Sequence, residues 1–183
     1  DSHMGDYYAQ LAKTILSIII NNMLNSYTMK NINVKIFDHL ECKLKPNQKI
    51  TLPLLVSEGK VIEKWIDYNG NMNMAYYVQC FEESCDYILE LLELGHKYAL
   101  EEKKGVFVIK CKIDYREEIT LNEKFKIYVS TMNIEGKKLI LDLTMLNVDD
   151  KVIADYHILN LNVDLITKKS CNFSNSILDT YQI

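Results

Sequence analysis

One short stretch gathers the residue types that hydrolytic chemistry needs. Asp67-Tyr68-Asn69-Gly70-Asn71-Met72-Asn73 stands directly ahead of a long run with helical periodicity. A carboxylate can attack a carbonyl carbon or take a proton from the water that does. The free amides of a helix start, and of the Gly70 turn before it, carry partial positive charge and can receive the oxyanion that develops. One such donor contributes ~3 kcal/mol, about two orders of magnitude in rate. Gly70 permits close backbone approach because it has no side chain. Asn73 stands where a helix N-cap belongs, its side-chain oxygen able to accept a free amide of the first turn. The competing reading of Asp67 is a carboxylate that only caps the turn. For Asn73 the structural and the functional roles coincide.

Other chemistries find little support. The histidines (His3, His39, His96, His157) are scattered, with neither H-x₃-H nor H-E-x-x-H spacing, so no metal site is expected. Five cysteines, an odd number without a C-x-x-C pair, read as reduced thiols filling the core. No G-x-S-x-G elbow and no glycine-rich phosphate loop occurs.

The elements that must position these residues follow from periodicity. Ile50–Val56 and Val61–Ile66 read as strand segments separated by a Ser57-Glu58-Gly59 turn, with Pro53 suggesting an edge or bulge, so that Asp67 stands at a strand end. Met74–Leu94 reads as a long helix. Tyr77, Cys80, Phe81, Ser84, Tyr87, Ile88 and Leu91 share its apolar face, while Gln79, Glu83, Asp86, Glu90 and Glu93 line the opposite one. Gly95 supplies a left-handed stop. Four strand-like runs follow, at Val106–Tyr115, Lys124–Asn133, Lys138–Val148 and Val152–Ile166, with no further helix. Their short turns make neighbours antiparallel. The expected fold class is therefore α+β, in which one long amphipathic helix covers the apolar face of an antiparallel sheet of about five to six strands.

Here the residues resemble a family. Trp65-Ile66-Asp67-Tyr68-Asn69-Gly70-Asn71-Met72-Asn73-Met74-Ala75-Tyr76-Tyr77, followed by Phe81-Glu82-Glu83, looks like the signature of 4-hydroxybenzoyl-CoA-type hot-dog thioesterases. It is closer still to the thioesterase modules associated with carnitine dehydrogenase. The resemblance covers Val61–Lys168, including the Val163-Asp164-Leu165 ending of the last strand. It implies a hot-dog fold, a curved sheet wrapped round a central helix. It also implies hydrolysis of acyl-CoA thioesters, with coenzyme A as part of the substrate and no separate cofactor. Asp67 would be the nucleophile or general base, with Gly70, Asn71 and Asn73 around it. One departure is Asn71, where the family usually has histidine; an amide can donate a hydrogen bond but cannot titrate. That departure motivates the alternative of a catalytically silent module binding acyl-CoA or an acyl carrier. A hot-dog dehydratase would want a histidine near the helix start, and none is there.

Glu82 or Glu83 would supply a second carboxylate, the competing reading being solvated helix surface. Tyr68, Tyr76 and Tyr77 would meet substrate, although Tyr77 also belongs to the apolar face. Tyr76, Tyr77, Phe81, Cys80 and Cys85 could line an acyl tunnel or fill the core. Arg116 (the only arginine), Lys168 and Lys169 lie at strand ends where CoA phosphates could reach, and each reads equally as surface charge. Family sites lie between subunits, so a homodimer or homotetramer is implied.

The chain of 183 residues suits one domain, and its 48% hydrophobic and 25% charged content is that of a soluble globular protein. A net charge of −4 with no basic stripe argues against nucleic acid or an anionic membrane as partner. Nothing resembles a signal peptide, and a cytoplasmic location is expected. Residues 1–3 read as a cloning scar, 4–45 as an extension carrying a short apolar helix (Leu11–Leu24), 46–169 as the hot-dog domain, and 170–183 as a loosely ordered tail.

Overall fold

The computed structural model describes residues 39–181; residues 1–3, read as a cloning scar, and the helix expected at Leu11–Leu24 lie outside these residues. Six strands form one antiparallel sheet: β1 (Glu41–Cys42), β2 (Leu54–Lys60), β3 (Lys104–Tyr115), β4 (Lys124–Glu135), β5 (Lys138–Asn147) and β6 (Val152–Asp164). Their order across the sheet is β1-β2-β4-β5-β6-β3. Helix α1 (Met74–Leu91) lies over one face. Pairing slips by a residue in β2, β3 and β4 and between β5 and β6, and such bulges curl a sheet round what it covers. Every residue assigned to the apolar face of the helix is buried: Tyr77, Cys80, Phe81, Ser84, Tyr87, Ile88 and Leu91. They meet inward side chains such as Ile127, Leu141, Leu143 and Tyr156, whose ring stacks on Phe81 at 4.9 Å.

Several local expectations change. The Ser57-Glu58-Gly59 segment is not a turn; β2 runs straight through it. The β2 bulge buries both Val56 and Ser57, which breaks the alternation that marks a strand. Ser57 Oγ meets Ser84 Oγ of α1 at 2.8 Å, a contact only small side chains allow. Gly59 lies under the core, where a Cβ would sit 2.5 Å from Phe125 Cζ and 2.6 Å from Leu40 Cδ2. Glu83, assigned to the polar face, is only 1% exposed. Its carboxylate accepts the Leu40 amide at 3.1 Å and the Tyr87 hydroxyl at 2.8 Å, because the segment leading into β1 packs over that side of the helix. The sheet thus begins at Glu41, inside the stretch read as an extension.

Gly95 is not the left-handed stop; that conformation belongs to Glu93, at φ 59°, whereas Gly95 has φ −90°. Gly95 makes room instead, since a Cβ there would fall 2.1 Å from a Glu90 carboxylate oxygen. Glu90 turns back to accept the His96 amide at 2.8 Å, at the start of an unexpected helix α2 (His96–Glu101). The tail is described as far as Tyr181 and packs on the body. Ser170 pairs with Val163, Phe173 is buried, and helix α3 spans Asn175–Tyr181. Fully buried Asn162 fastens it, donating to the Cys171 and Asn172 carbonyls while accepting from Tyr98 Oη.

Candidate active site

The segment before Asp67 is not the predicted strand but a 3-10 turn over Glu63–Trp65. Trp65 directs it: the fully buried indole stacks on Tyr76 at 5.7 Å and packs against Phe125 at 6.4 Å. From there the chain folds into a small closed loop. The Asn73 amide donates to Trp65 O (2.8 Å), the Asp67 amide to Asn71 O (2.9 Å), and the Gly70 amide to Asp67 O (3.0 Å). Gly70 takes φ +86°, a left-handed conformation that costs glycine nothing, and the space beside it is open. The Met72 amide ties the loop to Ile119 O at 2.9 Å, and Asn71 pairs with Thr120. Asp67 is half-buried, and one carboxylate oxygen accepts the Asn69 amide at 2.8 Å. The other oxygen has no hydrogen-bond donor among the described residues.

Asn73 is the N-cap, as its residue type and place predict: it has an extended backbone, and its Oδ1 accepts the Ala75 amide at 3.0 Å. The Tyr76 amide goes to Asn73 O. Two expected oxyanion donors are therefore occupied, Gly70 by its turn and Ala75 by the cap. The Met74 amide is left as the first-turn donor with no acceptor among the described residues.

A cleft of about 470 Å³ opens over this loop. Of the residues singled out from sequence, Asp67, Tyr68, Asn71, Asn73, Tyr77 and Arg116 line it. Tyr68 is 97% exposed. Tyr77 is nearly buried, and burial pushes its phenol up to about 12. Met74, from the quoted signature, also lines the cleft, together with three residues not foreseen, Tyr115, Glu117 and Glu118. Tyr115 Oη donates to Met74 O at 3.2 Å, and its ring stands edge-on to Tyr77 at 5.2 Å. Nothing in their local sequence marks them; the register of β3 on β6 carries Tyr115 to the helix start.

Other expected site residues are placed elsewhere. Tyr76 is held against Trp65. Glu82 lies two helical turns beyond Met74, ~12 Å along the axis, where it accepts the Tyr156 hydroxyl at 2.6 Å. Cys80, Phe81 and Cys85 are core, and burial pushes both thiols up, away from nucleophilic use. Arg116, which does line the cleft, pairs with Asp155 at 2.5 Å. Lys168 follows β6 at the Lys104 end of β3, whereas the cleft lies at the Tyr115 end, roughly 35 Å along the strand. Among the described residues no three His, Cys, Asp or Glu side chains converge as a metal ion would require, and no helix is long and apolar enough to cross a membrane.

Comparison with known proteins bears on the family and the fold. Residues 62–180 match the model of the thioesterase-like superfamily. The chain belongs to that superfamily. The thioesterase-like match includes the Asp67 loop, α1 and strands β3–β6. Among curated relatives, an L-carnitine dehydrogenase/betainyl-CoA thioesterase of Ruegeria pomeroyi is 28% identical over 67% of this chain. The match spans only 25% of that relative's length. A betainyl-CoA thioesterase of Pseudomonas aeruginosa is 21% identical over 68% of this chain and 79% of its own. Among solved structures, a Staphylococcus aureus protein in complex with CoA superposes with a TM-score of 0.66, covering 73% of this chain and 85% of that one at 19% identity. The expected architecture, a long helix wrapped by a six-stranded curved antiparallel sheet, is thus the hot-dog arrangement of thioesterases.

Proposed function

We propose that this domain hydrolyses acyl-CoA thioesters, with Asp67 as the carboxylate that drives the reaction. The observation that carries the reading is the Asp67 loop: a carboxylate oxygen without a donor among the described residues, across a closed turn from the Met74 amide. Asp67 either takes the proton of a water that adds to the carbonyl carbon, or adds directly to give an anhydride that water then opens. In both routes the carbonyl oxygen gains negative charge, which the Met74 amide and the α1 N-terminus receive. The C–S bond breaks, CoA leaves as thiolate and is protonated, and the free acid remains. Asn71, lining the cleft, can hold the carbonyl or the water by hydrogen bonding but moves no proton.

The lining favours a compact acyl group bearing positive charge. Tyr68 and Tyr115 offer exposed rings, and Glu118 adds a carboxylate, while the Glu117 and Arg116 charges are met by Lys151 and Asp155. A quaternary ammonium over tyrosine faces gains ~1 kcal/mol or more. The betainyl-CoA activity in the names of two curated relatives accords with such a group.

The active unit in this reading is a homodimer joined along β3. That strand is a twelve-residue edge with Phe107, Val108 and Ile109 about half exposed. Long apolar edges are normally covered or paired. Tyr115 ends the same strand, so the cleft would border the partner.

The test is thiol release from a panel of acyl-CoAs that includes betainyl-CoA and its neutral isostere, tert-butylacetyl-CoA. Turnover is expected, with kcat/KM about tenfold higher for the cationic thioester. CoA binding without turnover of any thioester would refute hydrolysis in favour of a silent binding module.

A further inference from the structure

A second cleft, of about 370 Å³, opens at the same end of the sheet as the Asp67 loop. Lys60, Lys124 and Lys126 line it. Lys60 lies directly opposite Lys124 across the β2–β4 pair, and Lys126, two residues along β4, lies opposite Glu58. Like charges opposed on neighbouring strands destabilise a sheet. None of the three lysines makes an ion pair among the described residues. The two acids in the cleft, Glu41 and Glu58, are both held by Lys43, at 2.7 and 3.1 Å. The cleft is left net positive on a chain of net charge −4. Asn147 and the exposed side chain of Val148 complete one wall, a hydrogen-bonding group beside an apolar surface.

The backbone links this cleft to the Asp67 loop. The Val61 amide donates to Glu123 O, the Asn122 amide to Val61 O, and Thr120 pairs with Asn71. Thr120 to Lys124 spans at most ~14 Å of chain, and crossing to Asn71 adds about 5 Å. The pantetheine arm of CoA is as long as four or five extended residues, ~15 Å, and a lysine side chain reaches several ångströms more. A thioester at Asp67 can therefore place its nucleotide among these lysines. Of the positions first expected to meet phosphates, Arg116 is paired with Asp155, and Lys168 of the same protomer lies at the far end of β3.

We infer that Lys60, Lys124 and Lys126 form the subsite for the nucleotide phosphates of CoA, distinct from the acyl cleft. This rests on the acyl-CoA reading, and the experiment separates the two. The triple variant Lys60→Ala/Lys124→Ala/Lys126→Ala is assayed on an acyl-CoA and on the matching acyl-pantetheine, which lacks the nucleotide. The KM for acyl-CoA is expected to rise at least tenfold and to lose most of its dependence on salt, with kcat and the acyl-pantetheine kinetics unchanged. An equal change on both substrates, or no change on either, overturns the subsite. The variant should melt close to the parent, because removing the facing Lys60 and Lys124 charges offsets loss of the Lys126 charge opposite Glu58.

A second arm needs no turnover. Calorimetry with 3′-phosphoadenosine 5′-phosphate should show binding to the parent chain and at least tenfold weaker binding to the triple variant. Absence of binding to the parent, displacement by equimolar inorganic phosphate, or equal binding by the variant overturns the assignment. A chain that hydrolyses neither thioester but binds this nucleotide through the three lysines loses the hydrolytic reading and keeps the subsite.

Discussion

Asn73 joins fold to chemistry, and substitution there can separate the two roles. Its side chain accepts one first-turn amide, Ala75, and its own amide fixes the loop to Trp65 O. Asn73→Ala removes the first contact and keeps the second. Loss of an N-cap acceptor costs about 1 kcal/mol, which for a domain of this size lowers Tm by roughly 2–4 °C. In the proposed mechanism the Met74 amide at the α1 N-terminus receives the oxyanion, and misplacing a catalytic donor by about 1 Å costs up to ~100-fold in rate. Asn73→Ala should therefore lose kcat by about tenfold or more, beyond what its small loss of stability explains at 25 °C. Asn73→Ser, which restores a cap acceptor, should recover most of both. The assay is thiol release at saturating substrate beside a thermal melt of each variant. An Asn73→Ala protein with parental kcat, or a serine variant that regains Tm but not kcat, would refute the link between cap and donor.

Two further predictions concern stability. Burial raises the Asp86 carboxyl to about 6, with Glu82 and Glu90 adding like charge on the same stripe of α1. A carboxylate raised in the folded state favours folding below its unfolded value near 4, and that contribution is lost as pH climbs through about 6. Asp86→Asn should thus be neutral at pH 4 and stabilising by on the order of 2 kcal/mol at pH 7.5, read from denaturant midpoints at both pH values. Equal stability of variant and parent at pH 7.5 would sink that argument. Gly59→Ala should destabilise by about 1–3 kcal/mol, because its new methyl would meet Phe125 and Leu40 well inside van der Waals contact. A parental melting temperature would show that the core yields there without cost.

Much of the site was legible because its signals are local. A polar turn with one glycine, an N-cap asparagine and a 3.6-residue apolar period together locate the Asp67 loop and the start of α1 without reference to any distant residue. The four long strands were legible too, through alternation and turn residues. What stayed hidden depends on partners far along the chain. Glu83 reads as surface until the Leu40 amide, forty-three residues away, is laid against it. Ser57 and Gly59 look like turn residues because they are small, yet smallness there serves close packing against Ser84 and Phe125. The tail has no period of its own and is ordered by Asn162 and by burial of Phe173. Tyr115 and Glu118 join the cleft only through sheet register. The same register places Lys60, Lys124 and Lys126 together, which no run of basic residues announces.

The most direct test of the central claim is Asp67→Asn. An amide oxygen can still accept the Asn69 amide, so the loop and the melting temperature should be kept, while the group that attacks or takes a proton is gone. The account predicts that kcat/KM for acyl-CoA hydrolysis falls by at least ~100-fold with CoA binding retained. Undiminished hydrolysis by a folded Asp67→Asn protein would contradict it.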